Sequence, residues 1–239
     1  MKATKRLFFY AFILMGGILI TMSSCKKDED ENDQPDTVRD IDGNVYKTVK
    51  IGNLEWMAEN LRTTKYHNGS SIPNVTDNEA WAGLSTPAYC WYNNDRATYG
   101  NTYGALYNWY AVETGNLCPT GWRVPTDAEW TTLTDHAGGE SVAGGKLKST
   151  RTEPDAHPRW DSPNTDATNE YDFSALPGGY RYDSNGAFNY VGSFSPLWSS
   201  SGFDATNAWR RNIRYDFGEV FRGSNNKRYG FSVRCVRDL

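Results

Sequence analysis

Histidine is scarce in this chain. His67, His136 and His157 are its only three, none beside another and none in HExxH spacing, so a histidine-ligated metalloprotease site is excluded. Serines are common but none stands in GxSxG, which removes the nucleophile elbow of α/β-hydrolases. The four cysteines include no CxxC pair, so zinc-ribbon and thioredoxin-like chemistry have no ligand set. Basic charge is also in deficit, 25 Lys and Arg against 29 Asp and Glu. Phosphate backbones are held by net basic surfaces, so nucleic acid is not an expected partner. The longest apolar run, Leu7 to Ile20, falls short of the roughly 20 residues that span a bilayer.

That run nevertheless has a meaning. Lys2, Lys5 and Arg6 precede it and Thr21-Met22-Ser23-Ser24 follows, the three-part pattern of a secretory signal. Cys25 comes next and resembles the lipobox cysteine of bacterial lipoproteins, with Met22 where leucine is more usual. The resemblance implies cleavage after residue 24, acylation of Cys25 and attachment to the bacterial outer membrane. Several acyl chains hold a protein durably, whereas one chain holds it marginally. The competing readings are an uncleaved anchor and an ordinary secreted protein with an unpaired cysteine. Residues 25–36 continue as CKKDEDENDQPD, which offers no sizeable apolar surface to offset ordering entropy and is expected to be a flexible acidic tether. The lysine and acid run also resembles a lipoprotein surface-export signal; a plain spacer accounts for the same residues. Loss of Lys2, Lys5 and Arg6 leaves 22 basic residues against the 29 acids.

The remainder, residues 37–239, suits one domain with a sizeable core. It opens with β-prone runs separated by Asp42-Gly43-Asn44 and by Gly52-Asn53. Three short helices are expected. Thr76 with Glu79 predicts one start, Leu106, Trp109 and Tyr110 predict a helix over 105–114, and Thr126 with Glu129 predicts a third beginning in CPTGWRVPTDAEW. Residues 138–195 read as loop-rich, and AWRRNIRY and YGFSVRCV read as half-exposed strands of period two.

DIDGNVYKTVKIGNLEWMAENLR, AYCWYNND, YGALYNWYAV, CPTGWRVPTDAEW and YGFSVRCVRD, in that order, resemble the Fibrobacter succinogenes major paralogous domain. More distantly, GWRVPTDAEW and GFSVRCV resemble the formylglycine-generating sulfatase-modifying fold, a variant of the C-type lectin fold. The resemblance implies an α+β domain with small twisted antiparallel sheets, two or three short helices and long ordered loops. It also implies that Cys118 is bridged to Cys235 and that residues 198–226 contribute to a ligand-binding face. The formylglycine-forming enzymes hold copper with two cysteines near the C-terminus. Here Cys235 stands alone in that region, so oxidase chemistry is not expected.

Glu153-Pro154-Asp155 resembles the tripeptide, a proline between acidic or amide residues, that binds calcium and sugar in C-type lectins, but Gln34-Pro35-Asp36 matches such a tripeptide equally well in the tether. Glu153 and Asp155 are accordingly weak calcium candidates, and no other cofactor is expected. Trp198, Ser200, Trp209, Arg210, Asn212, Arg214, Arg222, Asn225 and Asn226 cluster late in the chain. Aromatic faces beside arginines and amides suit recognition of sugars or peptides; the tryptophans are equally suited to a core. The expectation is a non-catalytic cell-surface lipoprotein that captures an extracellular polysaccharide or protein. An enzyme acting on envelope or dietary glycans, and a structural subunit of a surface assembly, are the alternatives.

Overall fold

The first turn forms as its residues dictate. Asp40 accepts hydrogen bonds from the backbone and side chain of Asn44 and from the Tyr46 hydroxyl, closing β1 (Thr37–Arg39) against β2 (Val45–Ile51). A second tight turn at Gly52-Asn53 leads into β3 (Leu54–Met57). The computed structural model describes residues 36–239, which lie in one compact unit. The signal segment, Cys25 and the tether up to residue 35 lie outside the described residues. Asp36, counted with the tether above, joins the fold: its carbonyl accepts from Thr48 and its carboxylate pairs with Lys50.

Two of the expected helices shift. Asp77, not Thr76, caps α1 (Asn78–Ala82) by accepting from the Ala80 N–H. The stretch expected to be helical over 105–114 divides instead. A single turn, α2 (Asn101–Tyr103), lies between β4 (Tyr89–Cys90) and β5 (Leu106–Tyr107), and Asn108 then caps α3 (Trp109–Glu113). Leu106 satisfies its backbone in the strand, so the i, i+3, i+4 spacing there was coincidental.

The third helix forms as the sequence predicts. Thr126 accepts from the Glu129 N–H while Glu129 accepts from the Thr126 N–H, a reciprocal capping box that starts α4 (Asp127–His136). Such a cap contributes about 1 kcal/mol. An additional helix, α5 (Glu140–Leu147), lies in the segment read as loop. Its Gly144 and Gly145 look like helix breakers but serve close packing. A Cβ at either position would collide with the backbone carbonyl of Glu219 or Asp166.

Strands β6 (Gly178–Arg181) and β7 (Phe188–Val191) form a hairpin, and β8 (Phe194–Gly202), β9 (Asn207–Arg214) and β10 (Val220–Asn226) form an antiparallel meander. The last strand, β11 (Val236–Asp238), returns to β3 and completes a four-stranded sheet in the order β1-β2-β3-β11. The architecture is α+β, with few helices and several small antiparallel sheets.

The closing segment 230–236 stitches these sheets together. Gly230 bridges to Arg181, Phe231 to Tyr107, Ser232 to Leu197 and Val236 to Arg123. Both of its faces are buried, so the half-exposed alternation expected of YGFSVRCV does not occur. Arg234 sits inside with its guanidinium donating to Asn60 and to carbonyls of Phe173 and Ser174. Arg181 is likewise buried, and donates to carbonyls of Gly186, Val75, Thr76 and Asp77. Carbonyl dipoles on surrounding loops replace the solvation these cations lose, as burial of a charge requires.

CPTGWRVPTDAEW is clamped to this segment three ways. Cys118 is bonded to Cys235, Arg123 exchanges two backbone hydrogen bonds with Val236, and the Arg123 guanidinium lies between Glu129 and Asp238. Trp122 and Trp130 are core residues on either side. The pairing implied by the resemblance is therefore observed. Cys90 is free and fully buried, and burial pushes its thiol up to about 12, with nearby Arg181 opposing only in part.

Candidate ligand-binding cleft

Strand β9 sorts its side chains strictly. Arg211 and Ile213 point to one side of the meander, where Arg211 is buried against the start of α4. Arg210 and Asn212 point to the other, over Asn225 of β10 and Phe194 and Pro196 of β8. The β6–β7 hairpin covers this second side with Tyr180, while Tyr229 and Phe231 arrive from the closing segment. The hairpin itself closes tightly because Gly179 has φ +62° and faces the Asn189 carbonyl of its partner strand with no room for a Cβ. Together these residues line a half-open cleft of about 90 Å³. It is far shallower than the roughly 300–1,000 Å³ of ordinary small-molecule pockets, and so suits a protruding group of a larger ligand.

The walls are a continuous aromatic network. Tyr180 lies 5.5 Å from Tyr190, 5.3 Å from Tyr182 and 5.8 Å from Tyr229, ring centre to ring centre. Tyr190 stacks on Phe194 at 4.6 Å and an interplanar angle of 16°. It is 48% exposed and holds φ at +65°, an uncommon conformation for an aromatic residue. Its exposed ring stands beside the cleft, packed on Phe194 and Tyr180, which line it.

The floor is polar and only partly satisfied. Arg210 Nε donates to Asn225 Oδ1 at 2.9 Å and Nη1 to the Phe221 carbonyl at 3.0 Å. Asn212 is 7% exposed, and its buried Oδ1 has no hydrogen-bond partner among the described residues. Leaving such an atom unpaired costs about 1–3 kcal/mol. Burial raises the Tyr180 hydroxyl well above its ordinary range, reinforced by the Tyr182 hydroxyl. Burial and the charge of Asp183 push Tyr229 up to about 12. Both hydroxyls are therefore neutral donors at any physiological pH. Burial, with neighbouring Arg211, works against the Arg210 charge, yet a guanidinium stays cationic in proteins.

The profile of the family described as the Fibrobacter succinogenes major domain matches residues 49–237. The chain belongs to this family. No curated protein and no solved structure matches the chain.

This Fibrobacter succinogenes major domain brings three of the sequence candidates, Arg210, Asn212 and Asn225, to one cleft and disperses the rest. Trp198 is fully buried, with its indole N–H donating to the Tyr107 carbonyl; it is core and leaves the candidate face. Trp209 and Arg222 stack on each other at 3.6 Å on the side facing α4, where Arg222 also pairs with Asp127. Arg214 is engaged by Asp216 and enclosed by Phe194, Phe217 and Phe221. Asn226 turns back to accept from Arg228. Ser200, half-buried, pairs its backbone N–H with the Pro125 carbonyl, away from the cleft.

The weak calcium candidates do not converge. Glu153 pairs with Arg159 at 2.8 Å and Asp155 lies 3.9 Å from Arg151, and no cluster of three acidic, histidine or cysteine side chains exists among the described residues. His136 ends α4, and His157 meets the Tyr103 hydroxyl at 2.7 Å. Tyr180 and Tyr229 of the cleft were not among the sequence candidates. GGYRYDSNGAFNYV carries the signal for Tyr180, aromatic residues flanking an Asp-Ser-Asn-Gly turn.

Proposed function

We propose that this protein is a non-catalytic, lipid-anchored surface protein whose C-type-lectin-like domain captures an extracellular polysaccharide or protein on the aromatic cleft. The observation that carries this is the pairing of unsatisfied polar groups with an exposed aromatic wall. Arg210 and Asn212 share the cleft with Tyr180 and Tyr229, and solvent-facing Tyr190 stacks on its wall residue Phe194. Stacking against aromatic faces and hydrogen bonding to amides and guanidinium are the means by which proteins hold sugars and extended segments. The side chains in the cleft are suited to holding a ligand; glycoside hydrolysis would need two carboxylates set about 5–10 Å apart across it.

Several features support the C-type-lectin-like organisation: small antiparallel sheets, helix α4 beside the meander, and the disulfide joining the segment before α4 to the closing strand. The anchor rests on the signal-like start and on Cys25. No helix among the described residues is long and apolar enough to cross a membrane.

A screen of the full-length protein in detergent micelles against glycans and envelope proteins, with and without chelator, tests the reading. Tyr190→Gly should remove at least about nine-tenths of the binding. Its thermal midpoint should change little, because relief of the left-handed backbone offsets lost stacking, each about 1 kcal/mol. Binding indifferent to Tyr190→Gly, or cleavage of any bound glycan, would overturn it. Mass spectrometry of the membrane-extracted protein checks the anchor: acyl chains on an N-terminal Cys25 are expected, and an unmodified residue upstream of it refutes lipidation.

A further inference from the structure

We infer that the cleft selects a sugar bearing a carboxylate, a uronic acid residue, over its neutral counterpart. This rests on the cleft being the ligand site and adds the chemical class of what enters it.

The arginines of the meander are not equivalent. Arg211 and Arg222 share Asp127, and Arg214 has Asp216, so each has an acidic partner. Arg210 has none among the described residues, and both of its hydrogen bonds go to neutral oxygens. Its second terminal nitrogen, Nη2, has no partner there either. The residue across from it on β10 is Gly223, where a Cβ would stand 3.3 Å from that nitrogen. Glycine there leaves one face of the guanidinium without a covering side chain from β10. A guanidinium with no acidic partner and an unpaired terminal nitrogen is matched by a carboxylate, which can take two parallel N–H donors at once. In a half-enclosed aromatic setting such a pair gains more than it would in water.

The neighbouring groups point to a sugar as the carrier of that carboxylate. Asn212 holds a buried, unpaired Oδ1, and a half-turn of its side chain would present its acceptor or its donor end to a hydroxyl. Tyr180, Tyr229 and Phe231 supply aromatic surface for the apolar face of a pyranose. The cleft accommodates one substituted ring edge in its roughly 90 Å³, too little for a peptide side chain and its backbone together. The protein as a whole is acidic, so recognition operates at short range, without long-range attraction of polyanions.

The test is calorimetric titration of the full-length protein in detergent micelles with oligogalacturonate and oligoalginate, each beside its carboxyl-reduced counterpart. The acidic form of at least one pair should bind about tenfold or more tightly than its reduced form, and the gap should narrow in 1 M salt. Arg210→Gln should erase the gap. Because that change also releases the Phe221 and Asn225 contacts, Asn212→Asp is run beside it. This second variant leaves Arg210 in place, sets a competing carboxylate next to it, and should lower acidic binding to the neutral level. Equal binding of the acidic and reduced forms, abolished by Tyr190→Gly, overturns the acid preference and leaves the cleft standing. If no oligosaccharide binds, if acidic peptides bind instead, or if binding survives Tyr190→Gly, the inference is overturned; the last result also removes the cleft as the site.

Discussion

Replacing Cys118 and Cys235 together by alanine isolates the clamp on which the fold closes. The bridge spans a sequence separation of 117 residues, more than half of the described domain. In the chain-entropy treatment, a loop of that length restricts the unfolded ensemble by about 5 kcal/mol. Domains have only about 5–15 kcal/mol of net stability, so the double variant should be marginal. For a domain near 200 residues each kcal/mol moves the midpoint by about 2–4 °C, which predicts a fall of roughly 10–20 °C. The native contacts that remain beside the bridge include the two Arg123–Val236 hydrogen bonds and the Arg123 ion pairs, which hold the same elements together but leave the unfolded chain unrestricted. Urea unfolding followed by tryptophan fluorescence, with and without reductant, is the assay. Reductant should bring the wild type down to the variant and leave the variant unmoved. A loss below about 1 kcal/mol, or a wild type indifferent to reductant, would refute the assignment of the bridge as the main constraint.

Two further changes probe the packing behind the cleft. Asp127 is pushed upward by burial, but hydrogen bonds from Arg222 and Arg211 outweigh this and hold its carboxyl below the ordinary value. A depressed folded-state value contributes stability that is present above about pH 4 and lost as the pH falls through that region. Asp127→Ala should therefore cost about 3–5 kcal/mol at neutral pH, since Arg211 stays buried without its carboxylate. It should also flatten the acid limb of a stability-against-pH curve; an unchanged acid limb counts against the pairing. Gly144→Ala would ordinarily stabilise a helix by about 0.5–1 kcal/mol. Here the added methyl meets the Glu219 carbonyl, and a loss of about 1–3 kcal/mol is expected from denaturant midpoints. A gain would show that α5 does not pack against that loop.

Local signals were legible in the sequence, and contacts between distant segments were not. The Asp42-Gly43-Asn44 turn and the Thr126–Glu129 cap are each written within a few consecutive residues, and both form as read. Helix α5 escaped because Gly144-Gly145 reads as a break, and only the approach of Glu219 and Asp166 reveals why glycine is there. Nothing near Arg181, Arg211 and Arg234 in the sequence marks them as buried, because the groups that solvate them lie far away along the chain. The cleft was half legible for the same reason. Arg210, Asn212 and Asn225 stand on neighbouring strands of one meander, whereas Tyr180 reaches it from a separate hairpin.

The position of residues 230–236 has a consequence for how the molecule holds together. They touch four separate sheets and carry one half of the disulfide. Without them the hairpins keep turns and partners of their own but have nothing to bind them into a single body. A chain in which this one segment is dislodged should therefore be recognised by proteases as open along its whole length.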